Sequence, residues 1–252
     1  MNFSDKVVVV TGASRGIGRV VAQQFAEQGA RLIVHYCSHK KAAKETLASL
    51  KGGPHIIVQA DMAHPKDVRH LVHTAVQKMG SIDILVNNAG IYETYSIAEI
   101  DYEKWQRIWH RTLATNLLGP ANLSLLVAQH MIKQGGGKII NISSRGAFRG
   151  EPESPAYGAS KAGLNAMSQS FAKALAPHKI FVYVVAPGFV ETDMTVSMLA
   201  GPEGDAIRSQ SPLGRAARPE EVASTILFLA SENTEYLTGC IVDINGASYL
   251  RS

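Results

Sequence analysis

Only two cysteines, Cys37 and Cys240, occur in 252 residues, and neither sits in a CxxC or Cys/His spacing. That scarcity excludes a disulfide framework and a structural zinc site and fits a reducing, cytoplasmic compartment. No HExxH pair accompanies the nine histidines, so no metal is expected. Lysines and arginines are scattered, with no run of five or more and a formal net charge of only +4. This gives nucleic acid no basic footprint. No apolar run reaches membrane-spanning length, so no membrane partner is expected. The first expected strand begins near Lys6, which leaves no room for a signal peptide ahead of it. No repeat, low-complexity tract or Pro/Ser-rich linker divides the chain. Residues 1–252 therefore read as a single domain, long enough for one sizeable α/β core.

What is present is alternation. Short β-branched apolar runs at 6–11, 31–35, 56–59, 82–86, 138–142, 180–185 and 240–244 read as strands. Most are apolar on both faces, as in a parallel sheet covered by helices above and below. Helical patterns lie between them at 18–28, 40–51, 65–78, 112–133, 156–176 and 219–230. The expected fold is α/β: a Rossmann-type, doubly wound parallel sheet of about seven strands with helices on both faces. The least regular piece, residues 188–212, leaves the carboxyl edge of the sheet and reads as a lid over a site there, or as a plain surface excursion.

The window Ser154-Pro155-Ala156-Tyr157-Gly158-Ala159-Ser160-Lys161 places a phenol and an ammonium four residues apart among small side chains. On a helix the two share one face, one turn apart. An ammonium so held would lower the tyrosine pKa from about 10 toward neutrality. Tyr157 is then a candidate proton donor and acceptor, of the kind that carbonyl–alcohol interconversion needs. Taken alone, the window fits equally well a closely packed helix with an incidental Tyr/Lys pair.

After the first strand comes Thr11-Gly12-Ala13-Ser14-Arg15-Gly16-Ile17-Gly18, opening a helix. Glycines let backbone amides approach a pyrophosphate, and a helix N-terminus supplies partial positive charge. Gly12, Ser14, Arg15, Gly16, Ile17 and Gly18 are the candidate dinucleotide loop. An acidic residue roughly twenty positions on would bind the adenosine ribose and repel a 2′-phosphate. Here the second strand ends in His35-Tyr36-Cys37-Ser38, with no carboxylate before Glu45. Arg15 and Ser38, with His39 and Lys40, offer charge and donors instead, which favours NADP(H) and leaves NAD(H) as the alternative. Asp61, after the third strand, can accept from an adenine amino group or cap the helix that starts near Pro65.

With the glycine loop and the Tyr157/Lys161 pair in place, the chain resembles the short-chain dehydrogenase/reductase family, in its single-domain subgroup, over residues 6–246. Asn88, Ala89 and Gly90 of Asn87-Asn88-Ala89-Gly90 fall where the family steadies the sheet beside the adenine ribose. Asn116 falls at the family's catalytic asparagine and Ser144 at its catalytic serine. Pro187, Gly188 and Thr192 match the segment that holds the nicotinamide carboxamide. The resemblance implies a hydride transfer in which Tyr157 protonates the developing alkoxide and Ser144 hydrogen-bonds it. It implies that Lys161 lowers the tyrosine pKa and binds the nicotinamide ribose, and that Asn116 holds a water linking Lys161 to solvent. A homo-oligomer, tetramer or dimer, is also implied. The segment 101–116 is about one turn longer than the family's usual, and its Trp105 and Trp109 read as a packing stripe.

The pattern around Ala186-Pro187-Gly188-Phe189 is similar to that of 3-oxoacyl-(acyl-carrier-protein) reductases. The implied substrate is a small carbonyl compound, or alcohol in the reverse direction, with a 3-oxoacyl thioester among the candidates. An acyl carrier protein would want a basic docking surface, for which Lys133, His178 and Lys179 are the residues available. The alternatives are a dehydrogenase of sugar, polyol or steroid alcohols and a non-catalytic dinucleotide-binding sensor. Arg145 and Arg149, between Ser144 and Tyr157, either meet an anionic substrate or pair with Glu151 and Glu153; the surface pair is the expectation.

Overall fold

The computed structural model describes residues 1–193 and 195–251. Met194, within the expected lid, and Ser252 lie outside the described residues. The strands are β1 (Val7–Val10), β2 (Arg31–Tyr36), β3 (Ile56–Gln59), β4 (Ile84–Asn87), β5 (Gly137–Ile142), β6 (Ile180–Pro187) and β7 (Ile241–Ile244). Among the described residues they form one seven-stranded sheet in the order β3-β2-β1-β4-β5-β6-β7. Every pairing is parallel, as the two-sided apolar runs predict.

The helices are α1 (Gly16–Glu27), α2 (Lys40–Ser49), α3 (Pro65–Met79), α4 (Tyr102–Leu113), α5 (Gly119–Gln134), α6 (Gly146–Arg149), α7 (Pro155–Leu175), α8 (Val196–Ala200), α9 (Gly204–Ser209) and α10 (Pro219–Ala230). β1 shows why two layers form. Val8 and Val10 join Val21 and Phe25 of α1 and Val222 and Ile226 of α10 on one face. Val7 and Val9 join Leu71 of α3 and Leu123 and Val127 of α5 on the other. Strand side chains alternate between faces, so four consecutive valines feed both cores. Each fully buried valine contributes roughly 1.5–3 kcal/mol of apolar transfer.

Two features position the site. The strand order reverses between β1 and β4, which opens a crevice at their carboxyl ends. The second is a π-helical segment, Ala114–Leu118, that joins α4 to α5. The helical run therefore starts at Tyr102 rather than near 112, because Asp101 caps it by accepting from the Lys104 amide at 2.7 Å. A π segment marks an extra residue within an α-helix, and it falls on Asn116. Trp105 and Trp109 meet at a tilt of 41° with ring centroids 5.1 Å apart and pack on Tyr95, Ile108 and Ala156, as a packing stripe would. Among the described residues no helix is long and apolar enough to cross a membrane.

Candidate active site

A groove of about 480 Å³ runs along the carboxyl edge of β1, β4, β5 and β6. One end is built by the turn between β1 and α1. Gly12 there has a φ of +64°, and a Cβ on it would lie 3.0 Å from the Ala89 Cα. The turn is locked to β4 from both sides: Asn88 Nδ2 donates to the Thr11 carbonyl at 2.8 Å, and the Asn88 and Ala89 amides donate to Thr11 Oγ1 at 2.9 and 3.0 Å. Beneath it, the Gly12 amide donates to His35 Nδ1 at 3.0 Å, and His35 Nε2 meets the Ala60 carbonyl at 2.9 Å. Burial pushes the His35 pKa down to about 4, so this imidazole is a neutral strut. The sequence pattern marks His35 only as a strand end; its support of the turn is visible only in space.

Gly12, Ser14, Arg15, Gly16, Ile17, Ser38, Asp61, Asn88, Ala89, Gly90, Ser144, Tyr157, Lys161, Pro187, Gly188 and Thr192 all line the groove. Two candidates do not. Gly18 is buried under the turn, where a Cβ would come within 2.5 Å of the Gly12 carbonyl oxygen and 2.6 Å of Asn88 Nδ2. It packs beneath the turn rather than lining the groove. Asn116 is fully buried, and its amide both accepts from the Ile91 amide and donates to the Ile91 carbonyl, each at 2.9 Å. Its Nδ2 also reaches Ser160 Oγ at 3.2 Å. A side chain on Gly90 would meet Asn116 Oδ1 at 3.4 Å and Lys161 Nζ at 3.5 Å, so Asn116 stands behind the lysine.

The Asp61 carboxylate has three partners within this chain, one of them His64, whose Nδ1 lies 3.6 Å from Oδ2. Its Oδ1 accepts from the Ala63 amide at 2.9 Å, and its Oδ2 pairs with Arg111 at 3.0 Å. Arg111 comes from α4 and borders the groove at the Asp61 end; no spacing in the sequence announces it.

The reactive end departs from expectation in its electrostatics. Lys161 Nζ donates to the Ile142 carbonyl at 2.7 Å and lies 5.7 Å from the Tyr157 ring centroid. Its charge does not bring the Tyr157 pKa toward neutrality. Desolvation pushes Tyr157 up to about 12, against a hydrogen bond from Ser144 and with a further upward push from Glu151 and Tyr92. The Tyr92 ring meets it edge-on at 5.0 Å. Burial alone pushes Lys161 down to about 8. Loss of hydration opposes charge on both groups and outweighs their mutual attraction across that gap. Near neutral pH the pair is therefore a phenol and an ammonium. Ser144 Oγ accepts from the Gly146 amide at 3.0 Å, so its hydroxyl hydrogen is left to donate toward the Tyr157 oxygen.

The loop after Ser144 also differs. Arg149 pairs with Glu151 at 3.4 Å as expected, whereas Arg145 is buried, 3% exposed, and makes no ion pair among the described residues.

A family model described as Enoyl-(Acyl carrier protein) reductase matches residues 12–247. A solved short chain dehydrogenase from Burkholderia cenocepacia J2315, in complex with NADP, superposes with a TM-score of 0.91 at 31% identity, over 98% of this chain and 99% of that one. This chain belongs to the short-chain dehydrogenase/reductase family. Among curated relatives, an uncharacterized oxidoreductase of Methylorubrum extorquens is 40% identical, covering 96% of each chain. The 3-oxoacyl-[acyl-carrier-protein] reductase FabG of Thermotoga maritima is also 40% identical, covering 98% of each chain.

Within this short-chain dehydrogenase/reductase one expectation about partners needs correction. Lys133 lies in the last turn of α5, and His178 and Lys179 immediately precede β6. The Gly137 amide donates to the Lys179 carbonyl at 3.1 Å, where β5 begins. All three residues therefore lie at the amino ends of the strands, on the edge opposite the groove. They do not make a basic surface beside it.

Proposed function

We propose that this protein is an NADP(H)-dependent oxidoreductase that reduces a small ketone, aldehyde or 3-oxoacyl thioester to the alcohol. The reading rests on one observation: Tyr157, Ser144 and Lys161 line the same groove as the glycine turn. The NADP-bound Burkholderia neighbour and the Thermotoga 3-oxoacyl reductase support it.

The residues fit a dinucleotide. Gly12 and Gly16 both have positive φ, at 64° and 55°, and put no side chain at either end of the turn that opens α1. Gly12, Ser14, Gly16 and Ile17 would hold the pyrophosphate. Arg15 and Ser38 would meet a 2′-phosphate. Asp61, Asn88, Ala89 and Gly90 would flank the adenosine, and Pro187, Gly188 and Thr192 the nicotinamide. When bound, the reduced cofactor supplies hydride to the carbonyl carbon. The Tyr157 phenol, which keeps its proton up to about pH 12, donates it to the oxygen as charge develops there. The Ser144 hydroxyl, which faces Tyr157, would donate to the same oxygen. The Lys161 ammonium stabilises the phenolate that remains and is itself fixed by Ile142. Asn116, through both groups of its amide, fixes the Ile91 backbone and hence the turn at Gly90. A phenol rather than a phenolate at neutral pH suits reduction better than oxidation.

Residues 188–212, carrying α8 and α9, are assigned as the lid of a single domain, and Thr192, Thr195 and Met198 of this stretch border the groove. Leu118, Leu125 and Ile132 are exposed at seven-residue spacing along α5 and the turn before it, which supports a homo-oligomer, tetramer or dimer, burying that stripe. Unpaired Cys37 and Cys240 suit a reducing cytoplasm.

The test is a screen of the purified protein against ketones, aldehydes, sugars and acetoacetyl thioesters, with NADPH and NADH in parallel, together with Tyr157→Phe. Carbonyl-dependent NADPH oxidation, lost in the variant while NADPH binding persists, is the expected result. Turnover surviving in Tyr157→Phe would refute the assignment.

A further inference from the structure

Arg145 follows Ser144 directly, and its amide is pinned to the Pro187 carbonyl at 2.9 Å, at the carboxyl ends of β5 and β6. Its side chain lines the same groove as Ser144 and Tyr157. It also walls a smaller cavity of about 160 Å³ beneath α9. The guanidinium stacks over the Phe189 ring at 5.0 Å and donates to Gln210 Oε1. Arg149 Nη1 donates to that same oxygen at 3.3 Å. Two guanidinium groups thus converge on one neutral amide oxygen.

Of the other arginines lining the groove and this cavity, Arg111 is matched by Asp61 and Arg215 by Glu221, while Arg15, which makes no ion pair among the described residues, is exposed to solvent. Arg145 makes no such pair among the described residues, although it is the most deeply buried of them. A buried charge without a counter-charge is unfavourable. Burial and the neighbouring Arg149 push its pKa down to about 10, so it stays charged at neutral pH. Arg145 and Arg149 set against Glu151 leave one positive charge in excess. One carboxylate neutralises that excess, and a planar guanidinium matches a carboxylate fork.

We propose that the carbonyl substrate is an oxo acid, whose carboxylate pairs with Arg145 while its carbonyl reaches Tyr157 and Ser144. Gaining a hydride at carbon and the Tyr157 proton at oxygen, it leaves as the hydroxy acid. The assignment rests on the carbonyl-reductase reading above and narrows it, because a thioester or neutral ketone brings no charge to Arg145.

The experiment compares size-matched pairs: 2-, 4- and 5-oxo acids, each against its methyl ester, with NADPH, in the wild type, Arg145→Gln and Arg145→Lys. An ester reduced without its acid leaves the carbonyl-reductase reading intact and overturns this inference. Expected in the wild type is a kcat/KM preference of at least about tenfold for one acid over its ester. Arg145→Gln abolishes that ratio and Arg145→Lys keeps part of it. The ratio is the readout because a purely structural defect lowers acid and ester alike, and an equal fall in both overturns the proposal. If Arg145→Gln does not fold, inhibition of the wild type decides: a saturated carboxylate of matching length should compete with the oxo acid, and its methyl ester should not. Failure to compete overturns the proposal. Should the wild type reduce no carbonyl compound at all, the underlying reading falls and this one with it.

Discussion

His35 Nδ1 accepts the Gly12 amide hydrogen at 3.0 Å, so the ring holds up the glycine turn only while that nitrogen is unprotonated. The proton resides on Nε2, facing the Ala60 carbonyl at 2.9 Å. Burial brings the His35 pKa to about 4, from 6.5 in an unfolded chain. Between those values the unfolded state binds a proton that the folded state does not. Stability from this residue is therefore complete above pH 6.5 and is lost as pH falls toward 4, by about 3 kcal/mol. Urea unfolding at pH 7, 5.5 and 4 should show the loss in the wild type. His35→Gln, which cannot protonate, should show a smaller fall over the same range. An imidazole resonance titrating near 6.5 in the folded protein would contradict the assignment.

Reduction needs the Lys161 ammonium and the Tyr157 phenol together. Lys161 gives up its proton as pH rises through about 8, whereas Tyr157 holds its own to about 12. The alkaline limb of kcat/KM for reduction should therefore lie near pH 8 and belong to the lysine. Oxidation of the product alcohol needs the phenolate and should instead rise with pH across the same range. Lys161→Arg supplies a cation that does not titrate, so whatever activity remains should have its alkaline limb displaced upward. A limb unmoved in that variant would assign it to another group.

The contrast between Val7–Val10 and Arg145 explains how much was legible in advance. Four valines in a row can only be buried on both faces, and a glycine turn followed by a helix pattern is a local feature. The sheet, its order of elements and the glycine-turn end of the groove follow from such local patterns, whereas Asn88, Ser144, Pro187 and Thr192 are reached through the family resemblance. Tyr157 and Lys161 were also legible as a helical pair, but their pKa values were not, because desolvation depends on everything packed around them. Arg145 looked like a surface residue because two glutamates follow it within eight positions; only the fold turns it inward under Phe189 and Gln210. Lys133, His178 and Lys179 read as a patch near the cleft, yet parallel strands put them at the opposite end. The π segment at Asn116 left only the sense of a turn too many.

The proposed cofactor choice can be tested at the end of β2. Arg15 is exposed at the groove and Ser38 lies beside it, with His35 neutral and unable to add charge. Arg15→Ala should raise the KM for NADPH by at least about tenfold, the worth of a charge-assisted hydrogen bond to phosphate. NADH, lacking the 2′-phosphate, should be little affected. Ser38→Asp adds the carboxylate that a free ribose prefers and a phosphate does not, so it should move the preference further toward NADH. Parallel initial-rate measurements with both cofactors check this. An equal loss with both would show that Arg15 acts on the pyrophosphate or the turn itself.

Gly18 supplies the sharpest separation of packing from contact. An alanine there would thrust its methyl group to 2.5 Å from the Gly12 carbonyl oxygen and 2.6 Å from Asn88 Nδ2. Neither neighbour can retreat cheaply: Gly12 is tied to His35, and Asn88 Nδ2 to the Thr11 carbonyl. Overpacking of this kind costs about 1–3 kcal/mol. Gly18→Ala should therefore lower the melting temperature and weaken NADPH binding together, although Gly18 does not line the groove. Adding NADPH should recover part of the lost thermal stability, since a ligand that binds only the native turn favours it by mass action. Unchanged melting and unchanged NADPH affinity in Gly18→Ala would mean that the β1–α1 turn has slack and that its tight packing does not position the cofactor loop.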